Sequence, residues 1–525
     1  MLKTLTPFLV VVIFFSITAR GQTSSFNPDS ALQTILTRIA GTPLSLGDAK
    51  RYALGNATSV RTAEASYRAA SGSRRKEAGY FDPSLFFTFN HLNIQAPTAS
   101  FFAGANVLSS KQDSLNGGLV WNLPTGTTVV LSLNTVRLET NSAFASLNPQ
   151  YTAFGMIAFR QPLMGGLWVS SMKNLTKADY DLDAAKARYD QEVLATETQV
   201  EQTYWDLYAA ERDYAVQKLI RDRAEAFLTE TQTRAKTGLI GPNQVANART
   251  FLAEQEILLL ESEERLDRLS DQLASLIGRR PEEGTARFLA ADDPPNVFSV
   301  GEVNEIIALA EERNLGIQAV KAEVEGRRAL SDAAFWQSLP QVDLIGSFGG
   351  NGLTGTPQDV VFNGTTLPRS TRSGSLGNAI NSAAKREFPT WNIGVNVSIP
   401  IGLRSGLAER DRLEAEVAIA DQRRIQAERL LEELVRASYR DLLNGTRRLK
   451  AAREGVEAAQ EQVRIGLIEF QNGRTTAFEL VRLGADFAAA QQRYTQALVR
   501  SAKAAANLRQ LTSGAYGTSH GVDQQ

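Results

Sequence analysis

The chain has 525 residues, and its 56 Lys and Arg against 57 Asp and Glu leave a formal charge of −1, so excess charge gives it no attraction to nucleic acid. It contains no cysteine, which excludes disulfides, thiolate metal sites and a cysteine nucleophile. Its two histidines, His91 and His520, lie far apart in the sequence, and no phosphate-binding loop, zinc-helix motif or nucleophile elbow occurs. We therefore expect neither enzymatic activity nor a cofactor or metal.

The N-terminus has the pattern of a secretory signal peptide. Lys3 is followed by a mostly apolar run over residues 5–19, and the small residues Ala19 and Gly21 lie where cleavage would occur. Residues 1–21 are therefore predicted to be a signal peptide, and the chain is predicted to be exported.

After the signal peptide, the chain repeats its own spacing. Residues 44–48, Leu-Ser-Leu-Gly-Asp, are echoed by residues 298–302, Phe-Ser-Val-Gly-Glu. A Tyr-x-Asp-Leu motif precedes a glycine by the same distance in both halves, in Tyr204 to Gly238 and Tyr439 to Gly473. We predict two internal repeats, each with a short helix, strands, a long helix, a turn and a second short helix.

The predicted elements follow from this plan in chain order. Repeat 1 spans 22–278, with a helix at 44–78, strands at about 81–162, a long helix at 164–237, a tip at 238–242 and a helix at 243–277. A linker follows at 279–297. Repeat 2 spans 298–514, with a helix at 299–337, strands at about 340–401, a long helix at 403–472, a tip at 473–476, a helix at 477–511, and then a tail at 515–525.

The long helices have coiled-coil length, since residues 164–237 would extend about 110 Å. Apolar residues recur every seventh position in both, at Val193, Val200, Leu207 and Tyr214 and again at Leu449, Val456, Val463 and Phe470. Each shorter helix covers only half of a long one. We therefore expect two short helices to stack end to end beside each long helix.

The strands alternate as a half-exposed sheet does. From Trp391 to Ile399 the odd positions are apolar and the even positions are small or polar. Such a strand suits the core of a soluble sandwich or the wall of a transmembrane barrel. Export and the Gly/Ser/Asn/Thr-rich segments, among them a predicted loop at 350–388, favour a barrel in an outer membrane.

These features together resemble the TolC family of outer-membrane efflux proteins, the outer membrane factors. The strand-to-helix corners at Pro162 and Pro400, in Gln161-Pro-Leu and Val397-Ser-Ile-Pro-Ile, and the two glycine-centred tips are similar to family motifs. The resemblance implies a mixed α and β fold: a trimeric outer-membrane β-barrel, continued by a long periplasmic α-helical coiled-coil barrel and built from two internal repeats.

The resemblance also implies the activity and the partners. The chain would be the exit duct of a tripartite efflux or type I secretion system in a Gram-negative-type bacterium, conducting substrates passively. Its partners would be two further copies of itself, a periplasmic adaptor (membrane fusion) protein, an inner-membrane pump of RND or ABC type, and outer-membrane lipid. An exported periplasmic coiled-coil scaffold without channel activity is the alternative, and an enzyme on a helical scaffold is a third.

Candidate site residues follow from matching the family's tips. The resemblance places adaptor docking at the first and second tips, at Gly238, Leu239, Ile240, Gly473, Arg474 and Thr475. It places a tunnel gate just beyond them, at Glu479, Arg482, Asn243 and Gln244. Arg482 stands where the family has a second acid, so we hypothesise that Glu479–Arg482 pairs hold the closed aperture.

One departure from the family concerns residues 113–137. They contain two strand-like runs around the Pro124-Thr-Gly126 turn, which gives repeat 1 four candidate strands and repeat 2 two. Either the trimer closes a larger barrel than the family's usual twelve strands, or this hairpin folds against the barrel or into its lumen.

Overall fold

A computed structural model describes residues 28–238, 240–282, 286–298, 300–362, 364–472 and 474–516. The predicted signal peptide and His520 lie outside the described residues. In the part of the chain that is described, no helix combines the length and the apolar character needed to cross a membrane.

The fold is mixed α and β and mostly helical, as predicted. The helices are α1 Pro28–Leu36, α2 Leu46–Asn56, α3 Thr58–Ala78, α4 Trp168–Lys236, α5 Pro242–Ile277, α6 Val303–Arg313, α7 Leu315–Gln337, α8 Leu376–Lys385, α9 Arg404–Gln471 and α10 Ala477–Leu511. The strands are β1 Thr42–Leu44, β2 Ser84–Pro97, β3 Val107–Asn122, β4 Thr128–Thr140, β5 Leu147–Met164, β6 Phe288–Ala290, β7 Gln341–Pro357, β8 Val361–Phe362, β9 Thr365–Thr366 and β10 Phe388–Ser398.

Two helices predicted as continuous are each broken once. The helix expected at 44–78 divides at Ala57, whose ψ of 128° leaves the helical region. The helix expected at 299–337 divides at Asn314, whose ψ is 120° and whose side chain caps α7 by accepting from the backbone N–H of Ile317. The capping side chain of Asn314 therefore marks the start of α7, a boundary that the apolar periodicity of the sequence does not reveal.

The helices form a wall four helices wide, with α4 and α9 as its long members. The short helix α3 lies along the half of α4 nearest the strands, where Arg74 pairs with Asp179 at 2.8 Å, and α5 lies along the other half. The helices α7 and α10 fill the space between α4 and α9 in the same stacked way. We call this layer the helical wall; its two lateral edges are α9 and the α3–α5 stack.

The core of the helical wall lies where α4, α5 and α10 meet. Val200, Tyr204 and Leu207 of α4 are fully buried, together with Leu266 and Leu273 of α5. Two of these residues, Val200 and Leu207, hold the predicted seven-residue spacing. Burial of such side chains stabilises each contact by about 1.5–3 kcal/mol, which explains why a helix of this length stays continuous.

A belt of short elements, here the equator, crosses the middle of the helical wall. It comprises β1 and β6, which pair in parallel, with α2, α6 and residues 512–516. The hydroxyl of Tyr204 donates to the carbonyl of Leu44 at 2.9 Å. The buried carboxylate of Glu201 accepts from Lys50 at 2.6 Å and from Arg509 at 2.5 Å, which ties α2, α4 and α10 together.

The large strands form one antiparallel sheet in the order β10-β7-β5-β4-β3-β2, with β10 and β2 at its edges. Side chains alternate between two faces. One, here the apolar face, exposes Leu85, Phe87, Leu131, Leu133, Ile157, Phe159, Phe348, Trp391, Ile393 and Val395. The other, here the polar face, carries many serine, asparagine and threonine residues and the Arg160–Asp343 ion pair at 2.7 Å.

Residues 350–388 are not the loop that we expected. The strand β7 continues to Pro357, and α8 then packs back onto the apolar face over β7 and β5. Gly352 permits this approach, because a Cβ there would lie 1.9 Å from the carbonyl oxygen of Ala379. A run of glycines in β7 therefore makes room for a helix rather than a loop.

A buried acid links the equator to α4. The carboxylate of Glu211 is buried and accepts the backbone N–H of Ala290 at 2.5 Å. Burial raises the pKa of Glu211 from its usual 4.5 to about 8, because the charged form loses its hydration. Since the pKa is higher in the folded chain, this group makes the folded state less stable as the pH rises from about 4.5 to about 8.

We therefore predict that Glu211→Gln stabilises the folded protein at neutral pH. At about pH 5 the variant and the parent should unfold alike, and at pH 7 the variant should be more stable by up to about 3 kcal/mol. Thermal unfolding at several pH values measures this difference. The control is Glu254→Gln on the exposed side of α5, which should leave the pH dependence of stability unchanged. If the stability of Glu211→Gln followed pH as the parent's does, the raised pKa of Glu211 would be contradicted.

Candidate functional site: the distal tips

The first tip is the turn between α4 and α5. The helix α4 ends at Lys236, and Gly238 follows with a φ of +77°, a left-handed conformation that side chains disfavour. Gly241 then precedes Pro242, which begins α5 at the position where a missing N–H costs nothing. Ile240 is half-buried beside this turn, and Leu239 lies outside the described residues.

The second tip is the turn between α9 and α10. The backbone N–H of Arg474 donates to the carbonyl of Glu469 at 2.8 Å, which closes the end of α9. The hydroxyl of Thr476 accepts the N–H of Glu479 at 3.2 Å and so caps α10. Arg474 is exposed and Thr475 is half-buried, while Gly473 lies outside the described residues.

The structure brings the two tips together around one groove. Its volume is about 530 Å³, and its lining includes Phe227, Thr231, Ile240, Gln244, Phe251 and Thr476. Ile240 and Gln244 thus share a surface with the cap of α10. The sequence analysis did not predict a role for Phe227 and Phe251. Aromatic residues near the end of a coiled coil are a signal that could have indicated this groove.

The predicted gate residues lie at the starts of α5 and α10. Glu479 and Arg482 form an ion pair one helical turn apart within α10, in which Arg482 is exposed and Glu479 is partly exposed. Asn243 and Gln244 are exposed in the first turn of α5. An ion pair this accessible to solvent contributes at most about 1 kcal/mol.

The two predicted corners join the sheet to the long helices. Pro162 lies near the end of β5, beside a register shift against β7, and Gly165 follows with a φ of +80°. Pro400 follows β10, and its carbonyl accepts the N–H of Leu403 at 3.2 Å. Each corner therefore turns the chain directly from a strand into a helix. Among the described residues, no group of three or more His, Asp or Glu side chains could hold a metal ion.

Comparison with known proteins identifies this arrangement. Residues 306–514 match the family model described as outer membrane efflux protein. No curated protein sequence matches the chain.

Solved structures match nearly the whole chain. The outer-membrane channel OprN shares 17% identity, with a TM-score of 0.63, over 89% of this chain and 90% of its own. The outer membrane protein VceC of Vibrio cholerae shares 15% identity, with a TM-score of 0.60, over 89% of this chain and 96% of its own. A membrane protein from Pseudomonas aeruginosa shares 15% identity, with a TM-score of 0.60, over 93% of this chain and 91% of its own.

The family match covers the second half of the chain, and the fold match covers both halves. The predicted resemblance to the TolC family is thereby confirmed: residues 306–514 match the model of the outer membrane efflux protein family, and the chain as a whole has the fold of the outer-membrane channels with which it aligns.

Proposed function

We propose that three copies of this chain close into one channel, which serves as the outer-membrane exit duct of a tripartite efflux or type I secretion system. The observation that carries the proposal is that the sheet and the helical wall both end in two open edges on the same chain. A single chain cannot provide hydrogen-bond partners for both edges of the sheet or cover both edges of the helical wall. The number of copies, three, comes from the family resemblance.

The edges of the sheet are β2 and β10. Each pairs with one neighbour only in the described sheet, so a row of backbone N–H and C=O groups faces outward on both sides. In a bilayer every such group needs a partner, which a closed ring of strands provides. The exposed apolar face suits contact with lipid. A periplasmic scaffold would instead leave that face in water.

The edges of the helical wall carry exposed apolar side chains. On α9, Leu430 is 53% exposed and Leu434 is 44% exposed. On α5, at the opposite edge, Ile257 is 58% exposed and Leu260 is 59% exposed. Exposed apolar side chains on both edges fit a head-to-tail contact, in which α9 of one copy packs on the α3–α5 stack of the next and the ring closes.

The proposal includes the remaining parts of the family plan. Two repeats, residues 22–278 and 298–514, would each contribute strands to a shared barrel and helices to a shared periplasmic tunnel, after removal of residues 1–21. The support is the matching order of elements, in which a short helix, strands, a long helix and a second short helix occur twice. Substrates would pass through passively.

The proposed docking surface for a periplasmic adaptor is the pair of tips. Gly238, Leu239 and Ile240 would contact it at the first tip, and Gly473, Arg474 and Thr475 at the second. The shared groove beside Ile240 supports this, since it offers the apolar side chains of Phe227 and Phe251 together with the charged side chains of Glu230 and Arg234, and an amphipathic partner helix can contact both. The adaptor would connect the duct to an inner-membrane pump.

The edge contact yields the first test. Replacing Leu430 and Leu434 by Glu should convert the trimer to monomers, because each lost leucine removes about 1.5–3 kcal/mol of burial at every interface and lowers association roughly tenfold or more. Native mass spectrometry of the detergent-purified protein measures this. The control is Arg429→Glu, which lies about 100° away from Leu430 around the helix axis. A trimer that survives the double substitution would contradict the proposed contact.

Adaptor docking is tested by photo-crosslinking in cells. A crosslinking residue at Ile240 or Arg474 should capture a periplasmic adaptor, identified by mass spectrometry, because both positions lie at the tips. The same residue at Trp391, on the apolar face of the sheet, should capture none. Capture of neighbouring copies alone at both tips would remove the docking assignment and leave the trimer intact.

The gate is tested by conductance. We propose that the Glu479–Arg482 pair favours the closed aperture, so Arg482→Ala should raise the open fraction of the purified channel in a lipid bilayer up to about fivefold, the effect of an exposed pair. The control is Arg464→Ala, which breaks a similar exposed pair with Glu461 on α9. Unchanged conductance in Arg482→Ala would reject the gate assignment.

A further inference from the structure

The hairpin formed by β3 and β4 lies inside the sheet. Continuous antiparallel ladders join β2 to β3, β3 to β4 and β4 to β5. In the described sheet β2 and β5 therefore have no direct pairing, although they are the strands that follow α3 and precede α4. A hairpin folded against the sheet or into a lumen would leave β2 and β5 paired with each other.

The hairpin also has the two faces of a barrel wall. Leu131 and Leu133 of β4 are 51% and 36% exposed, and they lie on the apolar face beside Ile157 of β5. Ser132, which lies between them, continues the polar face. A hairpin packed within a lumen would cover these leucines, whereas here they extend the apolar face.

The base of the hairpin is joined to both corners of repeat 1. The indole Nε1 of Trp121 donates to the carbonyl of Phe81 at 3.0 Å, just before β2 begins. At the turn, Gly126 has a φ of +87°, and a Cβ there would lie 2.4 Å from the carbonyl oxygen of Gly166. The turn thus rests on the segment that connects β5 to α4, so the hairpin and the corners form one junction.

We propose that β3 and β4 are part of the barrel wall, so that the trimer closes a barrel of eighteen strands. This inference rests on the proposed function, which supplies the trimer. Six strands from each copy reach eighteen only if the hairpin stays in the plane of the sheet. Closure then occurs between β2 of one copy and β10 of the next.

The widths of the two walls agree with this count. Twelve helices, four from each copy, placed about 9.5 Å apart need a circumference of about 110 Å. Eighteen strands spaced about 4.8 Å apart and tilted by about 40° also give about 110 Å, whereas twelve such strands give about 75 Å. The inserted hairpin therefore lets the barrel continue the helical tunnel at equal width.

The wider barrel has a consequence for cargo. Strand numbers of about sixteen to eighteen leave a water-filled lumen rather than one filled by side chains. The polar face of the hairpin presents uncharged groups there, among them Gln112, Ser114, Asn116, Ser132 and Asn134. The hairpin would thus add an uncharged surface to the lumen, the membrane section would pass hydrophilic solutes as wide as the helical tunnel, and the tips would set the size limit.

Cysteine labelling tests whether the hairpin is in the wall, because the chain has no cysteine of its own. Ser132→Cys and Leu131→Cys are compared, in the trimer reconstituted in lipid nanodiscs, with Met156→Cys and Ile157→Cys, their paired neighbours on β5. A membrane-impermeant maleimide should label Ser132→Cys at least about tenfold faster than Leu131→Cys, and the β5 pair should behave in the same way. Equal labelling of the two β4 positions would overturn the proposal.

A strand count separates the possible failures. Cryo-electron microscopy of the full-length trimer should show eighteen strands. A trimer with twelve strands and the hairpin outside the wall would overturn this inference and leave the proposed function standing. A protein that native mass spectrometry finds only as monomers would overturn the proposed function and the eighteen-stranded barrel together.

Discussion

An unpaired strand edge is costly in a membrane, and the described sheet has two of them, β2 and β10. Most features of the chain follow from this constraint. The strands alternate so that one face is apolar, and the edges of the helical wall carry exposed apolar side chains on α9 and α5. In the proposed channel both layers therefore contact a copy of the same chain on each side. When one rotation relates each copy to the next, the ring closes. The backbone groups at the sheet edges are then hydrogen-bonded, and the exposed apolar side chains at the edges of the helical wall are buried.

The junction between sheet and helices has to reconcile two spacings, because neighbouring strands lie about 4.8 Å apart and neighbouring helices about 9.5 Å apart. In repeat 2 the strands β7 and β10 are direct neighbours and lead from α7 and into α9. In repeat 1 the hairpin separates β2 from β5, so the corners below α3 and α4 stand three strand spacings apart. The two halves of the chain thus have the same order of elements but contribute different numbers of strands, and Gly126 and Gly165 turn the chain at the base of the sheet in left-handed conformations.

Regular periodicity made much of this fold predictable. The seven-residue spacing through Val200 and Leu207 marks α4 because the same residues are buried in the structure. Gly238 and Pro242 made the first tip predictable, because each determines the backbone conformation at its own position, whatever the rest of the fold. In contrast, α8 could not be predicted. Its Ala379 and Ala383 are buried because glycines of β7, distant in sequence, let the helix approach the strand. The segment itself is rich in Gly and Ser, which is typical of a loop. The groove at the tips was missed for the same reason, since it joins α4, α5 and the cap of α10 across the fold.

The equator and the tips are stabilised by different contacts, and this difference indicates where the proposed duct can move. At the equator the buried Glu201 accepts from Lys50 and Arg509, and Tyr204 bonds to Leu44, so separating the elements would leave a buried charge unpaired. At the tips the ion pairs are exposed and Gly238 has open space around it. Local opening requires least free energy where few buried contacts are lost. In the proposed duct the helix ends can therefore separate while the equator stays closed, which would concentrate opening at the end where the proposed partner docks.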